Sequence, residues 1–289
     1  MAGIGFELKK LFVGSGVIKK LRAYSYAGVI CSGTMTLAIV LLLTLQHIAV
    51  VFGAGKHQQE LFHITMVYAL FLSMMLTSFF QTYLSRYVAD MMYQEQPEAV
   101  MPSLIGASIT LMIPGGILYA LLLHTSNELN AVQKLLNWTL FMELIPTWLQ
   151  MTYITAAKDY RAIVKVFALG VALVIGLGVL LLWLGGDVFI SLQIALIIGY
   201  GVMLVGFMRV LLKYFPKGRG SAFAYVGWLS TVPDLLLTGF FGLAGAFVHI
   251  VVMWYSPLGE SVTGAFRQAS MFDAAAFYAF LVTVPTNVN

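Results

Sequence analysis

Apolar residues fall into long unbroken runs at residues 26–52, 64–85, 101–124, 135–157, 163–185, 188–212 and 224–254, with short polar gaps between them. About 20 apolar residues suffice to cross the hydrocarbon core as a helix, so each run predicts a membrane span. An eighth run starts at Ala274 and ends at Val284, too short to span. The runs are continuously apolar, whereas a β-barrel needs short alternating segments; helices are therefore expected. The predicted fold is all-α, a polytopic membrane helix bundle.

Composition agrees with the pattern. Hydrophobic residues make up 60% and charged residues 10% of the chain, and the mean hydropathy is +0.90, values unsuited to a water-soluble domain of this length. The charges that remain are unevenly placed. Lys9, Lys10, Lys19, Lys20 and Arg22 precede the first run, Arg86 follows the second, Lys158, Arg161 and Lys165 the fourth, and Arg209 at the end of the sixth is followed by Lys213, Lys217 and Arg219. The alternate gaps hold only Lys56, Lys134 and Arg267. The positive-inside bias then puts the N-terminus and the basic gaps in the cytoplasm of a bacterial inner membrane. The net charge of +4 is an orientation signal, with no basic groove or interleaved aromatics for nucleic acid.

Residues 1–22 are too polar to form a signal peptide. Ile4, Leu8, Leu11 and Phe12 recur at i, i+4, i+7 and i+8, which predicts a short amphipathic helix on the cytoplasmic leaflet. Cys31, the single cysteine, makes no intrachain disulfide. Four divisions follow: the amphipathic segment 1–22, a six-span lobe at 23–212, a basic turn-rich linker at 213–223, and an incomplete second lobe at 224–289.

Certain stretches carry a resemblance. They are Met-Ala-Gly-Ile-Gly-Phe-Glu-Leu at the N-terminus, Ala23-Tyr-Ser-Tyr-Ala-Gly-Val-Ile-Cys-Ser-Gly33, Ser85-Arg-Tyr-Val-Ala-Asp90, Ala157-Lys-Asp-Tyr-Arg161, Phe167-Ala-Leu-Gly170 and Trp254-Tyr-Ser-Pro-Leu-Gly-Glu260. In that order along the chain they resemble the PelG family of exopolysaccharide Pel transporters, within the wider group of polysaccharide and lipid flippases that includes multidrug exporters of the MATE type. The resemblance implies a twelve-helix architecture of two six-helix lobes around a central path. This chain would be a shortened copy holding the first lobe and the start of the second. It departs from the family pattern at Thr34, where a proline usually follows Ser-Gly, and at Val248 and His249, where an Asp-Lys pair usually stands.

Several residues need a reason independent of any family. Glu143 lies near the middle of the fourth run, where a carboxylate is penalised by roughly 2.5–3.5 kcal/mol. Pro146 frees a backbone carbonyl one turn earlier. Gln150 and Tyr153 continue the Glu143 face with Trp148 adjacent, a polar and aromatic stripe of the kind sugar hydroxyls and ring faces require. The competing reading is a protonated Glu143 bonded to a neighbouring helix. Asp234, directly after Pro233, marks a broken helix that lines a site or a kink satisfied locally. Arg86 and Asp90, spaced i, i+4, can pair as an interfacial anchor or as a gate. Lys158, Asp159 and Arg161 are expected to fix the cytoplasmic end of the fourth helix. His57 and His63 share an outer gap without the Cys or paired acids of a metal site, and His249 suits packing better than proton relay. The glycines at 170, 176, 178, 239, 242 and 245 suit close helix packing.

No G-x-x-x-x-G-K-[ST], nucleophile elbow or metal-ligand cluster is present, so neither ATP hydrolysis nor another enzymatic activity is expected, and no cofactor. The resemblance implies export of an amino-sugar-rich polysaccharide across the cytoplasmic membrane during biofilm matrix production. The implied partners are a cytoplasmic glycosyltransferase and other Pel membrane subunits. The alternatives are a lipid-linked-sugar or drug flippase of the same superfamily, and a membrane scaffold that recruits the glycosyltransferase without transporting.

Overall fold

The computed structural model describes residues 38–157, 160–215 and 218–286. The expected amphipathic helix, Cys31, Thr34, Lys158, Asp159 and Lys217 lie outside them.

All but one of the apolar runs, as far as they are described, form a single helix each. The first is α1, Ala38–Val51, followed by α2, Lys56–Tyr93, and, after a 3-10 turn at Pro97–Ala99, α3, Val100–His124. Next come α4, Ala131–Ala157, α5, Tyr160–Trp183, and α6, Val188–Tyr214. The seventh run does not hold together. It breaks into α7, Ala224–Gly227, a 3-10 turn at Trp228–Ser230, and α8, Asp234–Trp254. Pro233 explains the break. It disfavours helical backbone at Val232, and having no N–H it is suited to the start of a new helix. The last helix, α9, is Ser270–Thr286, beginning four residues before Ala274.

Short polar signals set the other ends. At the start of α4, Asn130 and Gln133 cap each other: Gln133 N donates to Asn130 Oδ1 at 2.8 Å and Asn130 N to Gln133 Oε1 at 3.0 Å. At the start of α6, Asp187 accepts from Ile190 N at 3.0 Å. α2 outruns its apolar core at both ends, because Lys56-His-Gln-Gln-Glu60 and Arg86 to Tyr93 are good helix formers outside the run.

Five segments are long and apolar enough to cross a membrane: Lys56–Tyr93, Pro97–His124, Ala162–Trp183, Val188–Tyr214 and Asp234–Trp254. The protein is a multi-pass membrane protein. α4 is as long as its neighbours but more polar, and its position shows why that is tolerated. The helices form a row in the order α5, α6, α4, α2, α8, with α3 against α4 and α2. From Leu136 to Ile154 no residue of α4 is exposed. α8 sits at the edge of the row, with Leu237, Phe241, Val248 and Val252 exposed.

Close approach depends on a few glycines. A side chain on Gly199 of α6 would meet Val174 of α5, and one on Gly239 of α8 would meet the Ser78 carbonyl of α2. Gly170 faces Met203, whereas Gly176, Gly242 and Gly245 face open space. One hairpin, β1 (Glu260–Thr263) with β2 (Phe266–Gln268), turns at Gly264, whose φ of +54° suits glycine. It is clamped to the bundle: Tyr68 OH accepts from Arg267 N and donates to Arg267 O, both at 3.0 Å. The Arg267 guanidinium also donates to the carbonyls of Trp254 and Gly259, each at 2.8 Å, and Trp254 stacks on Tyr68 with centroids 4.8 Å apart.

Gly106 of α3 lies against the backbone carbonyl of Ala222, which cannot swing aside as a side chain could. Gly106→Val is expected to cost about 1–3 kcal/mol through this overlap, read as a lower melting temperature in detergent. Gly242→Ala, which meets nothing, is expected to be neutral or to stabilise by up to about 1 kcal/mol.

Candidate functional site

Glu143 is the only Asp, Glu, Lys or Arg in the middle of the bundle among the described residues. None occurs in α2 from Leu61 to Ser85, in α3, in α5 from Val166 to Trp183, or in α6 from Val188 to Met208. On its own helix Lys134 is nine residues away, about 13 Å along the axis. The Glu143 side chain points at α6, its Oε1 lying 3.6 Å from where a Cβ on Gly201 would be. Its Oε2 is buried without a hydrogen-bond partner among the described residues.

Other buried polar atoms on the same two helices share that condition. Gln150 is 1% exposed and its Oε1 has no partner; Gln193 is fully buried and neither its Oε1 nor its Nε2 has one. The Tyr200 hydroxyl, next to Gly201 and 1% exposed, is likewise unpartnered. Gln150 lies seven residues after Glu143 and Tyr200 seven after Gln193, so each pair occupies one face two turns apart. Asn137 Nδ2 of α4 is unpartnered as well; native proteins leave few buried polar groups unbonded, and five such residues on one helix pair need explaining. A narrow apolar cleft with no room for a water molecule lies beside Tyr200, lined by Ala38, Leu41 and Leu42 of α1, Met66 and Leu70 of α2, Leu140 of α4, and Leu196 and Tyr200 of α6. Leu140 is one turn before Glu143.

The rest of the α4 stripe is bonded. Trp148 Nε1 donates to Ser73 Oγ of α2 at 3.0 Å. The fully buried Tyr153 hydroxyl shares a hydrogen bond with Ser103 Oγ of α3 at 2.9 Å. Nearer the α4 start, Tyr119 OH donates to Asn137 Oδ1 and stacks on Phe141 with centroids 4.1 Å apart. Trp148 and Tyr153 therefore fasten α4 to its neighbours, while Glu143 and Gln150 keep unused hydrogen-bonding capacity.

Asp234 is elsewhere. It is exposed in the first turn of α8, where the helix dipole favours an acid, and α2 stands between α8 and α4. The structure does not bring it to Glu143. Arg86 Nε and Asp90 Oδ2 pair at 2.8 Å on the surface, with Arg86 62% exposed. Arg161 falls in the first turn of α5. At the opposite end of the bundle His57 Nε2 meets Glu128 Oε2 at 2.9 Å, and Gln58 Nε2 donates to Asp187 Oδ2 at 2.8 Å. Among the described residues no three His, Cys, Asp or Glu side chains converge as metal ligands would.

Gln193 and Tyr200 escaped the sequence reading because each is a single polar residue in a strongly apolar run. Their spacing of seven was the available signal.

A buried amide without partners costs stability that an apolar residue of similar size recovers. Gln193→Leu is expected to leave the melting temperature unchanged or raise it. Tyr153→Phe, which removes a buried bond between helices, is expected to cost about 1 kcal/mol and to lower it.

Comparison with known proteins adds a family assignment to this geometry. Neither a curated protein nor a solved structure matches the chain. The family model PelG, described as "Putative exopolysaccharide Exporter (EPS-E)", matches residues 1–289. That family is one of exporters and not of enzymes, and it implies a polysaccharide substrate and a membrane setting. A multi-pass helix bundle with unbonded polar groups held among apolar helices is consistent with such a role, and on the match over its whole length the chain belongs to the PelG family of exopolysaccharide exporters.

Proposed function

We propose that this protein passes a Pel-like, amino-sugar-rich polysaccharide across the bacterial cytoplasmic membrane, with the N-terminus and the end of the bundle bearing Arg86, Arg209 and Lys213 in the cytoplasm. The observation that carries this reading is the set of unsatisfied polar groups on α4 and α6, in a chain of the exporter family. A polymer of hydroxyls and amino or amide groups loses water when it crosses the bilayer and needs replacement partners inside. Glu143, Gln150, Gln193 and Tyr200 hold unused donors and acceptors at membrane depth, and Trp148 and Tyr153 supply ring surface beside them.

In this reading the seam between α4 and α6 opens as sugar enters. The bonds of Trp148 to Ser73 and of Tyr153 to Ser103 keep α4 on α2 and α3 meanwhile. Arg86 and Asp90 belong to the cytoplasmic rim, where a glycosyltransferase would deliver the polymer and other Pel membrane subunits would assemble; by sequence Lys158, Asp159 and Arg161 are further gate or anchor candidates. Asp234 and the break before it belong to the edge at which α8 moves against α2. Energy comes from an ion gradient or from polymer synthesis.

Glu143→Ala is expected to lower polysaccharide export at least tenfold with protein abundance unchanged, measured as secreted polymer against an immunoblot of the membrane fraction. Export at the wild-type level would refute the assignment of this residue. Polymer flux that persists without the protein, together with loss of glycosyltransferase from the membrane, would identify a scaffold.

A further inference from the structure

We propose that Glu143 is a proton-binding site inside the membrane, taking up and releasing a proton as the seam between α4 and α6 opens and closes. This goes beyond lining a sugar path, which would require only hydrogen-bonding capacity at this position.

The placement of charge is the first ground. A carboxylate enclosed among apolar helices is tolerated when a cation pairs with it, when hydrogen bonds saturate it, or when it holds a proton. No described cation is close. Arg209 is eight residues beyond Gly201, about 12 Å along α6, and Lys134 is about as far away on α4. Hydrogen bonds do not saturate it either, since Oε2 has none among the described residues. Among the described residues, the proton is what remains of the three. A sodium ion would need several converging oxygens, and among the described residues no cluster of His, Cys, Asp or Glu includes this carboxylate.

The surroundings are the second ground. The titratable groups on the helices packed around α4 are few and mostly committed. Tyr68 of α2 is bonded to the backbone of Arg267, Tyr119 of α3 to Asn137, and His63 of α2 lies nearer the end that carries Lys56. α5 offers none between Val166 and Trp183. From α6 the neighbouring group is Tyr200, whose buried hydroxyl is unpartnered among the described residues and whose side chain shares a narrow apolar cleft with Leu140, one turn from Glu143. Gln193, eight residues before Gly201, and Gln150, seven after Glu143, stand about 12 Å and about 10 Å away along their helices and leave the carboxyl unbonded. A Cβ on Gly201 would stand 3.6 Å from the carboxyl, an ordinary contact, so α6 approaches it closely here.

The step balances simply. The carboxylate gains one proton from water on one side, becoming a neutral acid while the seam is closed; when the seam opens to the other side it loses that proton to water. No other bond changes.

Two measurements test this. The first is pH-difference infrared spectroscopy on the purified protein in lipid nanodiscs, which needs no polysaccharide. A carboxylic C=O band that grows reversibly on acidification and is lost in Glu143→Gln is expected; no titrating band, or the same band in Glu143→Gln, overturns the proposal. The second is export in cells. Glu143→Gln keeps size and hydrogen bonding but cannot ionise, so it is expected to lose export as severely as Glu143→Ala, at least tenfold. If Glu143→Ala abolishes export and Glu143→Gln retains it, the sugar-path reading stands and the proton site falls. If the infrared band titrates while both variants export normally, the carboxyl binds a proton that transport does not use, and the proposal falls as well.

Discussion

Hydrocarbon offers no hydrogen-bond partners, so a helix carrying Asn137, Glu143, Thr147, Gln150 and Tyr153 cannot face lipid. α4 is such a helix, and the architecture follows from the need to enclose it. α2, α3 and α6 surround it, and α5 and α8 extend the row at either edge with apolar faces turned outward. Among the polar side chains of α4, some are fastened and some are not. Trp148 and Tyr153 reach single serines on neighbouring helices, whereas Glu143 and Gln150 reach nothing described. Enclosure without satisfaction is costly, and a protein that only needed stability would have leucine at these positions.

That division gives the bundle a fixed part and a seam. α4 is held to α2 and α3 by directed bonds in a low-dielectric setting, where a broken bond is not replaced by water. Toward α6 it presents the carboxyl of Glu143 against Gly201, and Gln150 lies two turns further along the same face. α5 and α6 are joined by tight packing at Gly199 and Gly170, which would make them move as a pair. At the other edge, the β1–β2 hairpin binds the end of α8 to Tyr68, while the break before Pro233 leaves the beginning of α8 with fewer constraints.

Much of this is legible in the sequence, for identifiable reasons. Continuous apolar runs fix where helices cross, and Pro233-Asp234 marks a break because proline disfavours helical backbone before it. Glu143 stands out because a lone acid in an apolar run is expensive. Other features lie beyond local pattern. The hairpin at 260–268 has strands of three and four residues, too short to show alternation, and its place depends on contacts with Tyr68 and Ser126 far away in sequence. That Glu143 meets α6, and that α2 separates Asp234 from it, depends on helix order in the row, which the runs do not encode. Gln193 and Tyr200 become significant only once α6 is known to lie against α4.

The central claim is that the enclosed polar groups on α4 and α6 become accessible to water and sugar during transport. Thiol reactivity at Gln150 measures this directly. Gln150→Cys in a Cys31→Ser background is exposed to a charged, membrane-impermeant thiol reagent, with polymer synthesis running or stopped. The account predicts labelling at least tenfold faster while polymer is being made; equal protection in both states would contradict it.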